Sequence, residues 1–130
     1  MPLKPPIPLR PDEEDHIRKA FDSLVNLSSA ELRAWLMTPQ SQRVGTVRRG
    51  ERESVGRQSA GKILAIKAKA PADLTDDDYR HMKKVVGYCR RHLAQRPLAL
   101  RQGGDVTHTR WRWSLMNWGH DPLRGPRGEA

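Results

Sequence analysis

The sequence predicts an all-α fold, a single small domain of about five helices, on three observations. Apolar residues recur at helical spacing in five separate segments of the 130-residue chain. Ser or Thr caps with carboxylates close behind them open several of these segments, and Pro or Gly closes them. An extended Pro-rich arm over residues 1–11 precedes the helical domain of residues 12–122, and a polar tail covers residues 123–130.

The arm MPLKPPIPLRP holds five prolines and cannot be helical. PDEEDHIRKAFDSLVNL then opens with Pro11 and four acids, where the helix macrodipole favours negative charge, and sets Ile17, Ala20, Phe21, Leu24 and Val25 on one face. Ser28 and Glu31 form a capping-box pattern ahead of Leu32, Trp35 and Leu36, a short second helix that Pro39 stops. Residues 40–53 have no period and carry Arg43, Arg48, Arg49 and Arg52 with Arg57 close behind, which reads as a mobile basic loop.

Ser54 or Ser59 caps a third helix running to Lys69 with Ile63, Leu64 and Ile66 inside. Thr75 and the acids Asp76 to Asp78 open the longest helix, which runs to about Gln95 with Tyr79, Met82, Val86, Cys89 and Leu93 along its core face. Gly87 interrupts that helix at a cost of about 1 kcal/mol and marks the close approach of a neighbour, with another helix expected there. Residues 98–105 form a loop. In the last segment Thr109 to Trp113 alternates like a strand, but Trp111, Leu115 and Trp118 share a helical face and Gly119 and Pro122 follow as a stop, so a helix is expected.

Charge narrows the function. Lys and Arg number 24 against 15 Asp and Glu, a net charge of +9, and all the excess lies after Pro39. Such a balance favours a polyanionic partner. No apolar run approaches the ~20 residues of a membrane span, and the N-terminus has no signal-peptide core, so no membrane partner is expected. The single cysteine, Cys89, excludes an intrachain disulfide and reads as core.

GRQSAGKI, residues 56–63, places Gly56, Gly61 and Lys62 in register with a phosphate-binding loop but puts Ile63 where a metal-binding hydroxyl belongs. It therefore reads as a helix N-terminus, whose free N–H groups can still hold one phosphate, from a DNA backbone or a nucleotide. Cys89 with His92, and the set Asp105, His108, His120 and Asp121, are weak metal patterns against ordinary core, cap and turn roles; no cofactor and no metal is expected. TRWRW interleaves Arg110 and Arg112 with Trp111 and Trp113, an arrangement suited to base stacking, although tryptophans at helical spacing more often fill a core.

LTDDDYRHMKKVVGYCRRHLAQRP and GDVTHTRWRWSLMNWGHDP, with LVNLSSAELRAWL and ESVGRQSAGKIL, resemble the domain-of-unknown-function family 3140, small bacterial proteins. The resemblance implies a bacterial protein with a DNA-binding label; the single cysteine and the lack of a membrane run or signal-peptide core add the expectation of a cytoplasmic one, nucleoid-associated if DNA is the partner. The chain departs from the family pattern at Arg57, where a histidine is usual, and at Lys62, and LALRQG reads as extra loop.

The functional expectation is a nucleic-acid-binding protein and not an enzyme, duplex DNA being favoured, with two contact surfaces. Arg48, Arg49, Arg52, Arg57 and Lys62 form one; Arg80, Lys83, Lys84 and Arg91 form the other, with Arg110 and Arg112 as further contacts. An adaptor for an acidic protein partner is the alternative, and a metal-assisted hydrolase ranks third.

Overall fold

A computed structural model describes residues 9–97 and 104–124. The arm before residue 9, the LALRQG segment at 98–103 and the tail beyond 124 lie outside the described residues. Within them six α-helices and one 3₁₀ turn account for all the regular structure, and there is no strand.

Each helix starts where local chemistry supplies its unpaired N–H groups with acceptors or with a proline. Helix α1 (Pro11–Leu24) has Pro at its first position and Asp12, Glu13 and Glu14 in its first turn. Helix α2 (Ser29–Leu36) carries the full Ser28–Glu31 capping box. The sequence did not announce α3 (Pro39–Arg43), expected as loop: Thr38 accepts from the Ser41 N–H and Pro39 takes the first helical position, so the residue that stops α2 also starts a new turn.

Ser54, not Ser59, caps α4 (Val55–Lys67) by accepting from the Arg57 N–H. After a 3₁₀ turn at Pro71–Asp73, a Thr75–Asp78 capping box starts α5 (Asp76–Ala94), and Thr109 caps α6 (Arg110–Asn117). The region around TRWRW is helical, as the spacing predicts.

Helix α5 is the axis of the molecule. It packs against α1 on one side and against α4 and α6 on the other, while α6 also meets α2 and α3. Phe21, Leu32, Ile63, Met82, Val85, Cys89 and Leu115 are all but sealed from solvent where these helices meet. Each such side chain contributes about 1.5–3 kcal/mol by leaving water. Burial also pushes the Cys89 thiol up to about 12, in keeping with its core position.

Two polar knots fix the packing. Asn117, 1% exposed, receives hydrogen bonds at Oδ1 from Trp35 Nε1 at 2.8 Å and Ser41 Oγ at 2.6 Å, and its Nδ2 donates to the Ser41 carbonyl at 3.2 Å. It ties α2, α3 and α6 together with no polar atom wasted. The second knot joins the end of α1 to the residues after α6. The Leu27 N–H donates to Gly119 O at 3.1 Å, Asn26 exchanges bonds with the Asp121 backbone at 3.0 and 2.7 Å, and His120 Nδ1 lies 2.6 Å from Leu24 O. Gly119 makes this possible: its φ is +80°, and a Cβ there would sit 2.8 Å from Val25 Cγ1.

Candidate nucleic-acid interface

The cations expected to bind a polyanion do not all reach one surface. Arg48 from the loop before α4, Lys62 from α4, and Lys84 and Arg91 from α5 line two adjoining clefts between the start of α4 and α5. The larger has a volume of about 260 Å³. Twelve residues line the pair of clefts, four are cations and none is a carboxylate. Three separate elements thus deliver positive charge to one concave strip. Beyond Lys62 the groove continues toward the start of α5, where Asp77 and Asp78 enter its wall beside Arg80.

The floor of the strip is aromatic. Trp118, 4% exposed, stacks on Tyr88 with centroids 4.2 Å apart and planes 15° from parallel, and His81 lies beyond it at 6.4 Å. Tyr88 in turn stacks on His92 at 5.3 Å, and His92 faces Trp111 at 6.1 Å. These rings use their faces on one another. Trp111 also donates its indole N–H to His92 O at 2.9 Å, and with 8% exposure it belongs to the core. A base has no free Trp111 or Trp118 face to stack on, and Trp111 fills the core, as its helical spacing favours; Trp113 of the same motif is half-buried.

His81 belongs to the strip and carries no charge near neutrality. Its Nε2 lies 2.9 Å from the Ser59 hydroxyl, and burial, aided by the nearby charges of Lys62 and Lys84, brings its pKa down to about 4.

Other expected contact residues have different employment. Arg57 is a correction: only 17% of its side chain is exposed, and Nη1 donates to Leu36 O and Ser41 Oγ, both at 2.8 Å, while Nε pairs with Glu53. Its guanidinium satisfies the C-terminal end of α2, an orphan carbonyl that no sequence period reveals. Arg112 is a second correction. Its side chain is 17% exposed and grips Asp121 through Nε at 3.1 Å and Nη2 at 2.9 Å, with Nη1 donating to Thr107 O at 3.0 Å.

Arg110 donates to Arg43 O at 2.7 Å but stays exposed. Arg80 pairs with Asp77, and Lys83 lines a different hollow beside Asp12 and Glu13 of α1, so neither adds to the carboxylate-free strip. Arg49 and Arg52 are exposed on the loop, in whose turn the Glu51 N–H donates to Arg48 O at 2.9 Å. Gly87 is also explained differently from expectation. A Cβ there would come within 3.0 Å of Arg91 Nη1, so the bare backbone receives its own helix's arginine, one turn on, and not another helix.

Sequence reasoning missed Trp118, Tyr88 and Ser59 as neighbours of the strip. The only local signal was Gly56, whose absent side chain makes room for Trp118: a Cβ would lie 3.0 Å from the indole Nε1. The residues weighed as a metal site are otherwise engaged. Asp105 accepts from Thr107, Asp121 holds Arg112, His120 faces Leu24 O, and among the described residues no three His, Cys, Asp or Glu side chains gather.

An all-helical domain with a basic, carboxylate-free cleft is the class that this geometry defines. The family model for a protein of unknown function, DUF3140, matches residues 20–116, and the chain belongs to that family. No curated protein and no solved structure matches the chain. Among the described residues no helix is long and apolar enough to cross a membrane.

Proposed function

We propose that the protein binds nucleic acid, duplex DNA foremost, through its phosphate backbone and without reading base sequence. The observation that carries this reading is the convergence of Arg48, Lys62, Lys84 and Arg91 on clefts whose lining holds no carboxylate. Like charges from separate elements repel and are costly to gather unless a polyanion neutralises them. The engaged faces of Tyr88, Trp111 and Trp118 favour backbone contact over single-strand stacking at the strip.

The protein acts as a binder and not as an enzyme in this reading. Ser59 and His81 are paired as a nucleophile and base would be, but Ser59 is 2% exposed and a histidine with a pKa of about 4 is a poor base at neutral pH. Their bond satisfies the buried Ser59 hydroxyl and a ring nitrogen of the half-buried His81 under the basic strip.

The test is a salt titration of duplex binding followed by fluorescence anisotropy. Four neutralised phosphates give a slope of log K against log salt of about −3.6, at about −0.9 per phosphate. Replacing Arg48, Lys84 and Arg91 together by Ala weakens all duplexes alike and flattens the slope to about −0.9. Folded protein that binds no duplex at low salt overturns the proposal and leaves an acidic protein as the partner to seek.

A further inference from the structure

We propose that the larger cleft is a socket for one phosphate group, received by the start of α4 and the indole N–H of Trp118. Among the described residues the Trp118 Nε1 has no hydrogen-bond partner; the residue as a whole is 4% exposed, and Nε1 keeps part of that exposed surface and is not sealed from solvent. The protein's other well-buried indole, Trp111, and the half-buried Trp35 both spend their N–H groups on internal acceptors. Trp118 lines the cleft beside Gly56, and Nε1 is its atom nearest to that glycine.

Gly56 is the second residue of a 13-residue helix, so its backbone N–H has no intrahelical acceptor and lies at the positive end of the dipole. The cap leaves it so, because Ser54 Oγ takes the Arg57 N–H and Thr46 O takes the Val55 N–H. Around these two donors stand Arg48, Lys84 and Arg91. The nearest carboxylate to Arg48 is Glu51, outside the lining, with an Arg48 contact of 4.0 Å. A group with several acceptor oxygens and negative charge matches this set of donors, and phosphate has that chemistry. A methyl group on Gly56 would press on the indole and narrow the entrance.

The socket rests on the nucleic-acid reading only for the source of its phosphate. The experiment follows the indole N–H resonances of ¹⁵N-labelled protein, assigned through the backbone, as inorganic phosphate is added at constant ionic strength with chloride as the balance. The Trp118 resonance shifts and saturates, while those of Trp35 and Trp111, already bonded, stay in place. Lys84→Gln with Arg91→Gln, both exposed side chains, weakens the phosphate affinity about tenfold. A Trp118 resonance that does not move, or moves equally with chloride alone, overturns the socket even if anisotropy reports duplex binding.

A second arm uses a duplex with no terminal phosphate. A saturating Trp118 shift there supports a backbone phosphodiester as occupant. A response to inorganic phosphate but none to a duplex that binds overturns that source and assigns the socket to free phosphate groups. A response to phosphate with no duplex binding at all supports the socket and overturns the function proposed above.

Discussion

Arg112 and Asp121 form a two-toothed ion pair nine residues apart, with bonds of 3.1 and 2.9 Å and side chains only 17% and 8% exposed. It braces the chain where it leaves α6 and turns back toward Asn26. An arginine that reads as a nucleic-acid contact is thus a structural clamp. Arg112→Ala leaves a nearly buried carboxylate without its partner and lowers the unfolding free energy in urea by about 3 kcal/mol. The salt slope of duplex binding, measured on the folded variant, stays as in the parent.

Arg57 and Arg48 give a paired test. Arg57→Ala strips donors from Leu36 O and Ser41 Oγ and destabilises the domain by about 1–3 kcal/mol. Arg48→Ala removes an exposed side chain, changes stability by less than about 0.5 kcal/mol, and weakens duplex binding with a slope reduced by about 0.9. Equal losses of stability in the two variants contradict the division of labour.

Asn117→Ala removes the acceptor shared by Trp35 and Ser41 and leaves an indole N–H stranded between α2 and α6. The expected cost is about 2–4 kcal/mol in chemical denaturation, with a changed near-ultraviolet circular dichroism from Trp35. Asn117→Asp keeps an acceptor but loses the donor to Ser41 O. It is also destabilising, since it places a charge where the residue is 1% exposed.

Acid weakens the fold in two stages. Burial lowers the pKa values of His81, His92 and His120, that of His81 to about 4 from an ordinary 6.5. Above pH 6.5 both folded and unfolded chains hold these rings neutral and the full stability is present. As pH falls from 6.5 toward 4 the unfolded chain takes up protons that the folded one refuses, and stability declines.

The second stage belongs to carboxylates. Burial pushes Asp121 up, but Arg112 and the Leu123 N–H more than offset this and hold it below its ordinary 3.8; Arg124 and the Ser28 cap hold Glu31 down at about 2 from 4.5. Their contribution is present above the ordinary values and lost as pH falls through the folded ones. Urea midpoints from pH 7 to 2 check both stages, and His81→Gln removes one proton's share of the first without touching the second.

The helices were legible because their signals are local: Ser28 with Glu31, Thr75 with Asp78, and the spacing of Tyr79, Met82, Val86 and Cys89 all lie within a few turns. Pro39 was ambiguous, since a proline that ends one helix also suits the first position of the next, and Thr38 decided the matter. The candidate interface was only half legible. Composition puts the positive charge after Pro39, but an arginine's partner lies wherever the fold carries it. Arg57 finds Leu36, 21 residues away, whereas Arg91 folds back over Gly87 of its own helix. No local pattern separates Lys83 from Lys84, adjacent residues that α5 sends to different hollows.

The knot between Leu24–Leu27 and Gly119–Asp121 also sets a timetable. A ribosome makes the chain from its N-terminus, and the partners of Leu24, Asn26 and Leu27 are formed some 95 residues later. Until Asp121 has left the exit tunnel, the end of α1 lacks its backbone bonds and Val25 lacks the close glycine against which it packs. Domains complete their folding as units. This one therefore stays unfinished until α6 and the turn that follows it have been made, whatever the order in which its earlier helices appear.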